Sequence, residues 1–488
     1  MTLKFYNTLT GHTDEFVSQV SGKVSLYTCG PTVYDSPHVG NWASYIYWDT
    51  LVRLLMVNEY EVKRVMNITD VGHLTSDADE GEDKLEKGAR REHKTAWEVA
   101  KQYTDEFMEG MNELNLIIPQ YITKATDYIP DQLNLIKILK DKGFTYQIDD
   151  GIYFETSKFP SYADFAHLDL ENLKAGARVE YNPEKHSHSD FALWKFTAIG
   201  AKRDMEWETP RYLLDNDSEI KMGFPGWAVE CSAMALTILG STIDIHTGGI
   251  DHIPVHHTNE IAQSESVTGQ KFCNYWLHND HIKVNGTKIS KSIGNGYKLS
   301  DLKSKGFTPI DFRMFVLQGN YRNESNFTFE GLQSAKNRLN NWRNISAIRH
   351  QINDTTESEE EINHNETTVS LYATPRAIIE ALDEDIGTPE ALRIIDEAFS
   401  RITRTSLNKI NKKALIQLLE LIDYTLGLKL IENSPDITDD AKRIIIERNA
   451  ARSQQNWQKA DELRDQLLKL GVLLRDTEKD SIWEYLDK

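Results

Sequence analysis

The run KVSLYTCGPTVYDSPHVGNWASYIYWDTLVRLLM, residues 23–56, sets an alternating apolar stretch, a Gly-Pro loop and a long apolar stretch in series. KVSLYTC reads as a strand and NWASYIYWDTLVRLLM as a helix with a thick apolar side, and YEVKRVMNITD at 60–70 reads as the next strand. A strand, a loop and a helix in this order are the parts of a site at the carboxyl end of a parallel sheet. Cys29, one of three cysteines in the chain, stands at that end.

Working outward, 488 residues exceed a single hydrophobic core and predict three or four domains at roughly 100 to 200 residues each. Hydrophobic content of 40% with ten Trp, twenty Tyr and seventeen Phe excludes wholesale disorder. The opening MTLKFYNTLTGHTDEF lacks a basic-then-apolar leader, and no segment approaches the roughly 18 uncharged apolar residues of a membrane span. A cytoplasmic location without membrane contact is expected. There the cysteines stay free of disulfides, so Cys29, Cys231 and Cys273 are buried apolar groups, metal ligands or catalytic groups. A net charge of −20 argues against a bulk positive field for nucleic acid. It leaves room for a local basic track, because screening limits each charge to about 8 to 10 Å.

After a helical region at 95–115 the segment from about 118 to 218 changes to short strand-like pieces, such as GIYFETS, among turn residues, and reads as an insertion. Alternation of strand and helix resumes in EIKMGFPGWAVECSAMALTILG and STIDIHTGG at 219–249. Asn285-Gly286 between alternating apolar residues predicts a two-residue hairpin. From roughly 334 to 426 the pattern is helical, broken by the acidic NDTTESEEEINHNETT at 353–368, expected as a loop between helices. A last helical unit runs from Asp439 to a C-cap at Gly471 and leads to VLLRDT and SIWEYL.

Three groups of residues carry chemistry. In PHVGNWASY, a helix beginning near His38 puts His38 and Asn41 on one face of its first turn with Gly40 between them, an outline of a phosphate site that a plain polar helix start would also fit. KISKS at 288–292 sets Lys288 and Lys291 beside serines after the hairpin, where two ammonium groups can grip a triphosphate; a solvated basic turn is the alternative. In PVHHTNEIAQSE, His256 and Glu260 lie four apart on one helix face and can share a cation, given two further ligands. Cys29 and Cys231 each sit at a strand-to-helix junction, where sheet ends converge.

The order and spacing of TCGPTVYDSPHVGN, NITDV, GFPGWAVECSAMA, DIHTGGIDHIPVHHTNEIAQSE and KISKS resemble those of cysteinyl-tRNA synthetases, class I enzymes, over nearly the whole chain. The resemblance implies an α/β protein: a Rossmann-like catalytic domain in two halves (1–117 and 219–273), an inserted connective subdomain (118–218), a stem-contact region with the Lys-x-Ser-Lys-Ser loop (274–333), a helical bundle (334–430) and a C-terminal anticodon-binding module (431–488). It implies one Zn²⁺ per chain on Cys29, Cys231, His256 and Glu260, and ATP, with Mg²⁺, on His38, Gly40, Asn41, Gly248, Gly249, Asp251, Lys288 and Lys291. His38, Asn41, Lys288 and Lys291 carry the catalytic positions. Cys29, Thr69 and Trp227 fall at the cysteine site, and Arg452, Trp457 and Asp461 match anticodon contacts. L-cysteine, ATP and tRNA(Cys) are the implied partners of a monomer, and Cys273 is left as a core residue.

Zinc binds soft sulfur well and a hydroxyl poorly, so coordination of the substrate sulfur would separate cysteine from serine. A size-based pocket separates near-isosteres by only about 1 to 3 kcal/mol. Some positions depart from the family pattern. Ala228 stands where many relatives carry His, GHLTSDADEGEDK at 72–84 leaves Asp70 and Lys84 without assigned roles, and Thr247 follows His246 where Gly is common. Two rivals share parts of the pattern: a ligase joining cysteine to an amino sugar, against which the C-terminal helical unit argues, and a binding protein in which zinc serves only folding.

Overall fold

The computed structural model describes residues 2–72, 83–168, 182–198, 200–201, 203–215, 219–290, 293–352, 365–476 and 481–486. Lys291, Ser292, the Lys84 side chain and residues 353–364 of the acidic stretch lie outside the described residues. The chain divides into two compact units, residues 2–301 with 321–326, and residues 302–320 with 327–488.

The first unit is built on five parallel strands, β1 (Lys23–Thr28), β2 (Glu61–Ile68), β3 (Tyr121–Lys124), β4 (Ile243–Gly249) and β5 (Cys273–Asn279), in the order 3-2-1-4-5. Most of their Val, Ile and Leu side chains are buried, as a parallel sheet with helical crossovers requires. The first crossover is α1 (Val39–Val57), apolar nearly all round and therefore buried. Its buried Asp49 bonds Arg53 at 2.7 Å and accepts from the Ile117 amide at 2.6 Å.

Between β3 and β4 the chain forms an antiparallel sheet of Thr145–Ile148, Gly151–Phe154, Phe191–Phe196, Met222–Pro225 and Trp207–Glu208. Phe154, Phe191, Leu193 and Trp194 pack there against Leu133, Ile136 and Leu139 of the helix Ile129–Asp141. Strand β3 thus lies inside the segment expected as the insertion, and Met222–Pro225 lies beyond its expected end. Two helices complete the site, α2 (Trp227–Leu239) and α3 (Thr258–Thr268). The predicted hairpin is present: Ile282–Val284 pairs with Thr287–Lys288, and Asn285 and Gly286 both take positive φ, 50° and 74°.

The second unit is helical, with Pro309–Leu317, Phe329–Ser346, Glu366–Asp383, Thr388–Arg404 and Lys412–Leu426. The last three residues of the stretch expected as a loop, 366–368, belong to the helix that begins at Glu366 and is capped by Asn365. The helical unit expected from Asp439 to Gly471 is two helices, Asp439–Ser453 and Trp457–Lys469, parted where Gln455 takes φ 57°. They cover an antiparallel pair, Val472–Asp476 with Ser481–Tyr485, around Ala441, Leu467, Leu474 and Trp483. Among the described residues, no helix is long and apolar enough to cross a membrane.

Candidate metal centre and nucleotide site

Cys29 leaves β1 with its amide donating to the Thr247 carbonyl at 3.1 Å, which fixes the end of β1 against β4. Cys231 comes from α2, which starts after the Pro225-Gly226 break. Ile253–His257 form one π-helical turn that runs into α3, a local widening often found at functional sites. His256 Nε2 lies 3.0 Å from Glu260 Oε1 across this junction.

These elements bring Cys29, Cys231, His256 and Glu260 together, their ligand atoms all within 4.8 Å of one another and buried. Tetrahedral zinc with bonds of about 2.0 to 2.3 Å needs donor-to-donor edges of about 3.3 to 3.8 Å. Two sulfurs, an imidazole and a carboxylate are a zinc donor set, and the buried His256 Nδ1 has no hydrogen-bond partner among the described residues. The residues fit the ion.

A second layer surrounds them. His246 Nε2 is 2.9 Å from Glu260 Oε2, and His257 Nε2 is 3.3 Å from Cys29 Sγ. His257 Nδ1 meets His278 Nε2 at 2.7 Å, and His278 Nδ1 meets Thr8 Oγ1 at 2.7 Å. Cys29, His246, His257 and Glu260 also lie close enough to form an alternative donor set. Their pairwise hydrogen bonds mark His246 and His257 as the groups that orient the ligands.

The electrostatics follow from burial and facing charges. The bond shared with Cys231 lowers the Cys29 thiol, but burial and the carboxylates of Glu260, Glu230 and Asp251 leave it raised. Burial, then the bond with Cys29, pushes Cys231 well up. Burial opposes ionisation of Glu260, yet His246 and His256 bring its carboxyl down to about 2. Burial opposes protonation of His256, but Glu260 and Cys231 outweigh it and raise it. His257 and His278 are lowered by burial, so each is neutral, with one donor and one acceptor nitrogen. Without a metal the thiols hold their protons; metal uptake releases them.

The two segments expected to bind the nucleotide, around His38 and around Lys288, meet through Ile289. His38 caps α1: its Nδ1 accepts from the Asn41 amide at 3.3 Å, and its own amide donates to Asn41 Oδ1 at 3.1 Å. Asn41 is therefore engaged in a capping box. A Cβ on Gly40 would lie 3.0 Å from His38 Cε1 and 3.1 Å from Ile289 Cδ1, so Ile289 of the KISKS loop packs on the helix start. Val39 donates to the Tyr297 carbonyl at 2.8 Å. Asn295 clamps the loop, accepting from the Ser290 amide at 2.8 Å and donating to the Lys288 carbonyl at 3.2 Å. Lys288 is exposed at the end of the hairpin. Gly248 and Gly249 end β4, and Asp251 follows, exposed.

Of the residues expected at the cysteine site, the Trp227 ring lies 4.6 Å from that of His256. Thr69 donates to Glu230 Oε1 at 2.7 Å and accepts from Asn67 Nδ2 at 3.0 Å. Asp70 accepts from the Thr126 amide at 2.9 Å and hydroxyl at 2.7 Å, which gives it a part in the fold. Ala228 is buried next to Trp227.

In the second unit, Arg452 Nη1 bonds Asp476 Oδ1 at 2.6 Å. Trp457 is 58% exposed, and Asp461, one helical turn on, is exposed as well. Residue patterns did not bring out His257, His278, Glu230, Tyr27 or Asn295. The His256-His257 pair and the five histidines between 246 and 278 were the available signal.

A parallel 3-2-1-4-5 sheet, with a buried metal-ligand cluster and a capped helix start at its carboxyl ends, defines the catalytic fold of a class I aminoacyl-tRNA synthetase. Solved structures share it: methionyl-tRNA synthetase of Mycobacterium tuberculosis with methionyl-adenylate, at TM-score 0.59, 14% identity and coverage of 84% of this chain and 93% of that one; and the LeuRS–tRNA–LeuAMS ternary complex of Agrobacterium radiobacter K84, at TM-score 0.61, 12% identity and 86% of each. Within the class, the chain belongs to the cysteinyl-tRNA ligase family. Residues 15–337 match the tRNA synthetases class I (C) catalytic domain, and residues 434–483 match the cysteinyl-tRNA ligase anticodon binding domain. The cysteine–tRNA ligase of Treponema denticola is 38% identical over 100% of both chains. Cysteine–tRNA ligase 1 of Burkholderia lata is 38% identical over 98% of this chain and 96% of its own, and the Finegoldia magna enzyme 36% over 99% of each.

Proposed function

We propose that this chain activates L-cysteine with ATP and transfers it to the 3′ end of tRNA(Cys), giving AMP, diphosphate and L-cysteinyl-tRNA(Cys). One observation carries the reading: Cys29, Cys231, His256 and Glu260, drawn from three distant parts of the sequence, converge within 4.8 Å at the carboxyl end of the sheet. Zinc held by these four side chains would supply a soft Lewis acid with affinity for thiolate sulfur and little for a serine hydroxyl. Trp227 walls the amino-acid site, and Thr69, held by Glu230 and Asn67, presents a fixed rim.

The cysteine carboxylate attacks the α-phosphorus of ATP and pyrophosphate leaves. His38 and Gly40 allow close approach of the phosphates to the start of α1, while Asn41 holds the His38 ring through the capping box. Lys288 and Lys291, with Mg²⁺ carried by ATP, stabilise charge on the leaving phosphates, and Gly248, Gly249 and Asp251 line the adenosine side. No covalent link to the protein forms; positioning and charge stabilisation do the work. Arg452, Trp457 and Asp461 read the anticodon, the indole by stacking and the other two by hydrogen bonds to base edges.

All four metal ligands come from one chain, in keeping with a monomer, and a cytoplasmic location suits the free cysteines. The test is Cys231→Ser. Zinc content and cysteine-dependent exchange of labelled pyrophosphate into ATP should fall together, and a metal-free variant that keeps full exchange would refute the reading.

A further inference from the structure

Tyr27 lies in β1 two residues before Cys29, and the two-residue period of a strand places both side chains on one face of the sheet. In the register between β1 and β4, Tyr27 stands opposite His246, and the two rings are 5.0 Å apart. The side chain is wholly buried in the cluster that holds Cys29, Cys231 and Met234. Among the described residues its hydroxyl makes no hydrogen bond of full geometry; Cys231 is the side chain it comes nearest to bonding, and Glu260 and Cys29 are the other polar groups around it.

A buried hydroxyl without a partner is destabilising, so its retention beside a ligand cluster calls for an acceptor that forms in the working protein. Glu260 already faces His246 and His256. The Cys231 sulfur remains, a weak acceptor as a thiol and a good one as a thiolate. We propose that Tyr27 is a positioning residue for the metal centre, its O–H donating to the Cys231 sulfur when that sulfur is a metal-bound thiolate. The proposal rests on the four-ligand reading above.

Such a bond holds the Cys231 rotamer and withdraws electron density from its sulfur, leaving the metal a stronger acid toward a further thiolate. The bond joins β1 to α2, so one strand carries both a ligand, Cys29, and the group that orients another. Tyr27 does no chemistry of its own.

The test uses the full-length protein loaded with zinc and, separately, with cobalt(II), in wild type and Tyr27→Phe. The phenylalanine keeps the packing and removes only the O–H. Apparent zinc affinity in a chelator competition should fall about 10- to 100-fold. The thiolate-to-cobalt charge-transfer band should move to lower energy, a shift that lost packing alone does not produce. Should Tyr27→Phe fail to fold, replacement of Tyr27 by a fluorotyrosine strengthens the donor, and the band should move to higher energy. A metal-loaded wild type together with unchanged affinity and band position in Tyr27→Phe, or an unmoved band in the fluorotyrosine protein, overturns the role of Tyr27 alone. A wild type that takes up neither ion overturns the metal-site reading and this proposal with it.

Discussion

Gly40→Ala separates the helix start's structural role from its catalytic one. Gly40 is the second residue of α1, where Ala is favoured over Gly by at most the value of about 0.8 to 1.0 kcal/mol that holds in a helix interior. The new Cβ would sit 3.0 and 3.1 Å from two atoms of the His38 ring and 3.1 Å from Ile289 Cδ1, all inside the ordinary contact range that begins at 3.4 Å. The ring must turn away, which loosens the bond from the Asn41 amide to His38 Nδ1, and loss of such a cap costs about 0.5 to 2 kcal/mol. Gain and loss nearly cancel, so the thermal midpoint should stay within a few degrees of wild type. Catalysis has no such offset. His38 and Ile289 are both displaced by several tenths of an ångström, and misplacement approaching 1 Å costs up to about 100-fold, so cysteine-dependent pyrophosphate exchange should fall about 10- to 100-fold. Differential scanning fluorimetry and the exchange assay on the same preparation decide it. A variant with unchanged stability and unchanged exchange would refute the claim that the space at Gly40 sets the placement of His38 and Ile289 for catalysis.

Two further outcomes are expected. Trp457→Ala removes an exposed indole from a helix start and should weaken tRNA charging while leaving pyrophosphate exchange nearly intact; equal loss in both assays would contradict its assignment to the anticodon. Hydrogen bonds from Arg448 hold the Asp476 carboxyl well below the usual range, with Arg452 adding to the effect. Because this folded-state value is depressed, the stabilisation is complete above the unfolded value of about 3.9 and is lost as pH falls below it. The difference in thermal midpoint between wild type and Asp476→Asn should be constant from pH 8 to 5 and shrink below pH 4, and a difference that widens on acidification would contradict the pairing.

Much of the first unit was legible because its signals are local. The strand, loop, helix and strand from 23 to 70 declare themselves by period, and Asn285-Gly286 declares its hairpin by the positive φ both residues take. Strand β3 was not legible: Tyr-Ile-Thr-Lys is a four-residue edge strand with only Thr123 fully buried, too short for a period. The break at Gln455 has no sequence signal, because neither Gly nor Pro marks it. His257 is not legible either: adjacent residues of a regular α-helix point about 100° apart, so one helix face accounts for His256 alone. The π-helical turn changes that geometry and brings the His257 ring to Cys29. The orphaned Tyr27 hydroxyl exists only in three dimensions, since its surroundings come from β1, α2 and α3 together. The four-ligand set itself is legible through the family resemblance, because the spacing of His256 and Glu260 pairs only those two and nothing in the spacing of Cys29 and Cys231 along the chain reveals that they join them.

X-ray absorption at the zinc edge tests the central claim most directly, through the number of sulfur neighbours at about 2.3 Å before and after saturation with substrate. The free protein should show two, from Cys29 and Cys231. Cysteine should raise the count to three, and serine at the same concentration should leave it at two. A count that stays at two with saturating cysteine would show that the metal does not select the substrate.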